Sequence, residues 1–65
     1  MARFIKERKF QCSGGIIYVD EYVTKWEVVA KGYGHQFPCA TAKYMKKECA
    51  TANDAAQRLA NELNW

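Results

Sequence analysis

The spacing of apolar residues near the end of the chain is the feature that most constrains the fold. Between Thr51 and Trp65 these residues recur every three or four positions, which is the repeat of one face of an α-helix. They are Ala52, Ala55, Ala56, Leu59, Ala60 and Leu63. Thr51 is a suitable N-cap, because its hydroxyl can accept a hydrogen bond from a first-turn N–H. The segment therefore predicts one amphipathic helix.

This helix needs a surface to pack against. An isolated helix of about 13 residues is marginal in water, so docking must stabilise it. Alanine supplies four of its six apolar residues, and small side chains allow a close approach to a flat surface. A β-sheet is the expected surface, because the upstream chain is rich in strand-forming residues.

Two upstream segments have clear strand patterns. Residues 16–19 are dense in β-forming side chains, and residues 20–25 either continue that strand or form a connection. Residues 26–31 alternate, which puts Trp26, Val28 and Ala30 on one face. The expected turns are Ser13-Gly14-Gly15 and Gly32-Tyr33-Gly34.

Residues 3–12 also predict a strand, but with a conflict of faces. Phe4 and Phe10 have the same parity as Lys6 and Arg8, so the two faces cannot be cleanly apolar and polar. A twisted or bulged strand at the edge of the sheet resolves this conflict. A basic extended arm is the alternative interpretation.

The segment before the helix is ambiguous. Residues 35–40 predict a fourth strand, at an edge or bulged because Pro38 has no N–H to donate. Residues 41–49 are mostly helix formers, so a short helix capped by Thr41 competes with an irregular basic loop. The whole chain, residues 1–65, then forms one small α+β domain. Its antiparallel sheet has three or four strands, and the C-terminal helix packs on one face, in the order β-β-β-(β)-α.

Few residues could support catalysis or hold a metal. The chain has a single histidine and a single serine, and it lacks a glycine-rich phosphate loop, so we do not expect an enzyme. Zinc could use one set of four residues, whose spacing differs from the paired-ligand knuckles of structural sites. That set is Cys12, His35, Cys39 and Cys49. We expect no metal and no cofactor.

The cysteine count bears on the compartment. Three cysteines cannot complete a disulfide framework, and no two are spaced as Cys-x-x-Cys. They are expected to be reduced, to behave as small buried hydrophobic residues and to belong to a cytoplasmic protein. No apolar run approaches the length that spans a bilayer, so we expect no membrane partner.

Positive charge is concentrated in two parts of a chain whose net charge is only +3. Lysine and arginine neutralise phosphates, and exposed aromatic rings stack on bases. The predicted contact residues for nucleic acid or another partner are Arg3, Lys6, Arg8, Lys9, Lys43, Tyr44, Lys46 and Lys47. The seven cations form one patch if residues 41–49 fold back past the edge of the first strand. Alternatively, they only keep a small protein soluble.

The closing segment resembles the last helix of two known nucleic-acid-binding families. The Ala and Leu spacing of residues 51–63, after a three-stranded sheet, is similar to that of double-stranded RNA-binding domains and of phage integrase arm-binding domains. The likeness covers about a fifth of the chain and does not place it in either family. The RNA-binding family has a lysine cluster at this helix start, where Asp54 stands here, and it has a first helix that is missing here.

Two hypotheses about function follow. The first is a small non-enzymatic binding module for an anionic partner, either a nucleic acid or an acidic protein surface of a nucleic-acid-handling complex. The alternative is a protein–protein inhibitor or adaptor, for example a small phage or mobile-element protein that occludes a host machine. A homodimer is compatible with both hypotheses and would bury an exposed sheet edge.

Overall fold

A computed structural model describes residues 3–65 as a four-stranded antiparallel sheet followed by one helix. The elements are β1 (Phe4–Gln11), β2 (Gly15–Tyr22), β3 (Lys25–Gly32), β4 (Ala40–Met45) and α1 (Ala52–Leu63). The strands lie in sequence order, β1-β2-β3-β4, so β1 and β4 are the two edges. This architecture confirms the predicted α+β fold.

The helix covers one side of the sheet, here called the helix face, and the other side is the open face. The core forms where α1 packs on the two central strands. Its sheet residues are Ile17, Val19, Trp26, Val28 and Ala30, and its helix residues are Ala52, Ala55, Ala56, Leu59 and Ala60. The three residues of β3 share one face, as their alternation predicted. Each large side chain buried in this way contributes about 1.5–3 kcal/mol.

Both ends of α1 are capped. The Thr51 hydroxyl accepts a hydrogen bond from Asp54 N at 3.1 Å, which confirms the predicted N-cap. At the other end Asn64 adopts the left-handed conformation, with φ 58° and ψ 42°. That conformation lets Trp65 N donate to Ala60 O at 2.9 Å and turns the chain back toward the sheet.

Trp65 then packs on the turn between β1 and β2. A Cβ atom at Gly14 would lie 2.6 Å from the Trp65 ring, and one at Gly15 would lie 2.8 Å from it. Both distances are too short for any side chain. The two glycines therefore provide the space that the tryptophan ring occupies.

The edge strand β1 contains the predicted bulge. Phe4 pairs with Tyr22, whereas Lys6 pairs with Glu21, so Ile5 is one extra residue in β1. The bulge reverses the faces: Phe10 packs against the core, while Phe4 joins Tyr22 on the open face with ring centroids 5.8 Å apart.

The predictions for residues 35–45 were wrong, whereas residues 46–49 form an irregular connection, which was one of the two predicted alternatives. Residues 35–39 form a loop that contains Pro38, and the fourth strand is Ala40–Met45, where a helix or an irregular loop was expected. Thr41 pairs with Val29 on β3 and caps no helix. The free edge of β3 supplies a full set of backbone partners, and that long-range pairing outweighs the local helix propensity of these residues.

The cysteines differ in environment. All three are free, but only Cys49 is buried; Cys12 is half-buried and Cys39 is exposed. Within residues 3–65, no group of three or more histidine, cysteine or carboxylate side chains is arranged to hold a metal ion. No helix in the same residues is long and apolar enough to cross a membrane.

Candidate anion-binding site

The predicted cations do not form a single patch, because they divide between the two sides of the sheet. Register places Lys6 and Arg8 on the helix face of β1 and Lys9 on its open face. Lys43 lies on the open face of β4, at the opposite edge. Arg3 precedes β1, and Lys46 and Lys47 lie in the turn after β4.

Arg8 and Lys46 nevertheless come together, although they lie on opposite sides of β2 and β3. Arg8 Nη1 is 3.0 Å from Glu21 Oε1, and Lys46 Nζ is 2.7 Å from Glu21 Oε2. The hydrogen bond from Lys46, followed by that from Arg8, lowers the pKa of the Glu21 carboxyl below its ordinary value. Glu21 therefore stays ionised and holds two cations side by side.

The ring of Trp26 contacts the Lys46 side chain and holds it in position. The Lys46 ammonium stands 4.8 Å from the centroid of the Trp26 ring, a cation–π contact. The ring itself is buried, and its Nε1 donates to Cys49 O at 2.8 Å in the segment that leads to the helix. One buried tryptophan thus positions both the lysine and the approach to α1.

A groove of about 450 Å³ runs from Arg8 to the start of α1. Its sheet side consists of Arg8, Phe10, Glu21 and Trp26, and its helix side of residues 50–53. The first-turn N–H groups of a helix have no acceptor within the helix and carry partial positive charge. Arg8 lines the groove and Lys46 lies at its margin on the other side of Glu21, so both cations add to this partial charge, which Asp54 in the first turn of α1 partly offsets.

The charge balance near the groove is positive. Two cations contact Glu21, and Lys6, its register partner on β1, is a third cation on the same face. Asp54, in the first turn of α1, adds a second carboxylate near the helix side of the groove, although its side chain lines a separate depression with Arg58 and Glu48. We call the surface formed by Lys6, Arg8, Lys46 and residues 50–53 the basic groove.

The open face has the opposite character at its centre. Glu7, Asp20 and Glu27 lie directly opposite one another on three adjacent strands, and Lys43 continues the same row. Burial, followed by the neighbouring Glu7 and Glu27, raises the pKa of Asp20 to about 6. Like charges opposite each other destabilise a sheet. A phosphate approaching Lys43 would meet this acidic row.

Tyr44 is placed in the packing under α1. Its ring faces the helix side, is half-buried against the core and lies 5.7 Å from the Arg58 guanidinium. Burial, with Glu62 next, raises the pKa of the Tyr44 hydroxyl. Tyr44 is therefore not presented to a partner as a free stacking platform.

Sequence reasoning missed Glu21 and Trp26 as members of the site. Trp26 was expected only in the core, and Glu21 lay in the ambiguous segment 20–25. The two-residue turn at Val23 and Thr24 sets a register that pairs Glu21 with Trp26, and this hairpin geometry was the available signal. Comparison with known protein families, curated proteins and solved structures found no match.

Proposed function

We propose that this protein is a non-enzymatic binding module that holds an anionic partner, foremost the phosphate backbone of a nucleic acid, in the basic groove. The observation that supports this function is the convergence of Arg8 and Lys46 on Glu21 beside the start of α1. The two cations are already held in place before binding. Less side-chain entropy is then lost when a phosphate arrives.

Both cations have unused donors. The guanidinium of Arg8 has five N–H donors and the ammonium of Lys46 has three, while each makes one hydrogen bond to Glu21. The side chains are 38% and 30% exposed, so a phosphate can reach them. Arginine can contact a phosphate through two parallel N–H groups, which favours Arg8 as the principal contact.

The test compares two double variants of equal charge change. Arg8→Gln with Lys46→Gln removes two cations of the basic groove, and Lys25→Gln with Lys43→Gln removes two from the open face. Binding to labelled oligonucleotides is measured between 50 and 200 mM salt. The groove variant should weaken binding and reduce the slope of log affinity against log salt by about two, because each phosphate contact contributes about one.

The open-face variant is the control and should retain most of the slope. Glutamine is chosen because it can still donate to Glu21, so thermal melting should change little for either variant. Equal losses in the two variants, or binding by the wild-type protein that does not respond to salt, would contradict the proposed groove.

A second candidate function, a protein–protein adaptor or inhibitor, is favoured by one exposed apolar cluster. Phe4, Ile5, Val23 and Met45 are each between 43% and 55% exposed. They lie at the end of the sheet that contains the turn between β2 and β3. Clustered apolar exposure of this kind marks interaction surfaces.

The adaptor function predicts a binding partner that survives nuclease and 200 mM salt. Wild-type protein and a Val23→Ser, Met45→Ser variant would serve as baits in a nuclease-treated lysate. A protein retained by the wild type and lost with this variant, yet kept by the groove variant, would favour the adaptor. Loss of all captured material on nuclease treatment would favour the nucleic-acid module.

A further inference from the structure

A small pocket on the open face lies at the opposite end of the sheet from the exposed apolar cluster. Its volume is about 220 Å³, below the range of sites for drug-sized ligands, and therefore suited to one flat ring. The lining is contributed by β2, the end of β3 and the turn that follows: Ile16, Tyr18, Lys31, Gly32, Tyr33, Gly34 and His35.

The turn that forms one wall is held in place by hydrogen bonds. His35 N donates to Gly32 O at 3.2 Å, and Gly34 has φ 79°, a conformation that side-chain-bearing residues rarely adopt. The Tyr33 hydroxyl donates to Cys12 O at 3.0 Å, which ties the turn to the end of β1. The Tyr33 ring is thus held at both ends although it is 53% exposed and lies outside the core.

The pocket is positively charged and free of carboxylates. Lys31 is one of its lining residues, and Lys9 lies directly opposite Tyr18 with its ammonium 5.7 Å from the ring centroid. The acidic row of the open face passes through Asp20, one step further along β2, and contributes no residue to the lining. The two tyrosines therefore offer aromatic surface next to cations.

We infer that this pocket binds the base of an unpaired nucleotide, with the base stacked on the Tyr33 ring and its phosphate near Lys31 or Lys9. The inference rests on the proposed nucleic-acid function and adds that the preferred partner is single-stranded. Bases in a duplex are stacked on each other and cannot enter such a pocket, whereas bases of a single strand can. Stacking uses the face of a base, so little sequence preference is expected.

The test titrates adenosine 5′-monophosphate and follows the signals of Tyr18, Tyr33 and His35 by nuclear magnetic resonance. Tyr33→Leu removes the ring and keeps an apolar side chain, so it should weaken binding about fivefold or more, as loss of a base–aromatic stack does. Tyr33→Phe keeps the ring and should bind more tightly than Tyr33→Leu. Phe37→Leu alters a loop ring that is 78% exposed and absent from this pocket, and it should bind as the wild type does.

Four outcomes distinguish this inference from the function on which it rests. Inorganic phosphate that reproduces the shifts would overturn base stacking, as would equal affinity of Tyr33→Leu and wild type. Adenosine monophosphate should still bind the Arg8→Gln, Lys46→Gln variant, because the groove lies on the other face. Oligonucleotide binding that depends on the groove but shows no preference for single strands would overturn the inference and leave the proposed function standing.

Discussion

Asp20 and Glu21 are neighbours in β2, yet their carboxylates lie in opposite environments on the two faces of the sheet. Glu21, on the helix face, accepts hydrogen bonds from Arg8 and Lys46. Asp20, on the open face, lies between Glu7 and Glu27. Alternation along one strand thus places one acid among cations and the next among acids.

This difference shows that the two faces satisfy different requirements. On the helix face, packing against α1 fixes which residues are apolar, and the charges at its margin compensate one another. On the open face, no element covers the sheet, and like charges remain side by side at a cost in stability. A partner or a change in pH can therefore alter the open face with less effect on the core.

The largest expected effect is a loss of folding stability when the packing of α1 on the helix face is disrupted. Ala56→Lys places a charge where the native side chain is 4% exposed against the sheet, so it should cost about 3 kcal/mol or more and unfold a marginal domain. Gln57→Lys, one position later on the exposed side of α1, should melt nearly as the wild type does. Circular dichroism melts that coincide for the two variants would contradict the packing described for α1.

A smaller effect of opposite sign is expected from Asp20→Asn on the open face. The folded pKa of Asp20 is about 6, above its ordinary value of 3.8, so its ionisation destabilises the fold as pH rises through about 6. Asparagine removes that charge, and we expect the melting temperature at pH 7 to rise by about 4 °C for a domain of this size.

The pH dependence is the control for Asp20→Asn. Below about pH 3 the native aspartic acid is largely protonated in both the folded and unfolded states, so the variant should lose its advantage there. A stabilisation that is equal at about pH 3 and pH 7 would point to a cause other than charge, such as hydrogen bonding by the amide.

The smallest effect is expected from Glu21→Gln, and its pH dependence has the reverse sign. The folded pKa of Glu21 is lowered, so its ion pairs add stability above the unfolded pKa and lose it as pH falls through the folded pKa. Exposed pairs contribute little, so the melting temperature should fall by about 2 °C at pH 7 and converge with the wild type in acid.

Oligonucleotide binding gives Glu21→Gln a second measurement. Glutamine keeps one acceptor oxygen for the two cations that Glu21 positions and removes the negative charge that competes with a phosphate, so affinity at 50 mM salt should increase. An unchanged or lower affinity would contradict competition between the Glu21 carboxylate and the phosphate.

The sequence predicted those elements whose pattern is local. The helix and the two central strands follow from periodicity, and the bulged edge follows from the parity conflict around Phe4. The strand at Ala40–Met45 could not be recognised, because its residues favour a helix until β3 offers an edge to pair with. The proximity of Arg8 and Lys46 was predicted only on the condition that residues 41–49 fold back past the first strand. The small pocket beside Tyr33 was not predicted, because it forms where the turn after β3 meets β2.

The packing of Trp65 on Gly14 and Gly15 has a kinetic consequence. The sheet follows chain order, so its three hairpins can form by short loop closures, whereas the contact of Trp65 with the first turn joins distant parts of the chain and costs more loop entropy. Docking of the helix would then follow formation of the sheet, and the Trp65 contact would form only after the transition state of folding. On that basis Trp65→Leu should accelerate unfolding in stopped-flow measurements while leaving the refolding rate almost unchanged.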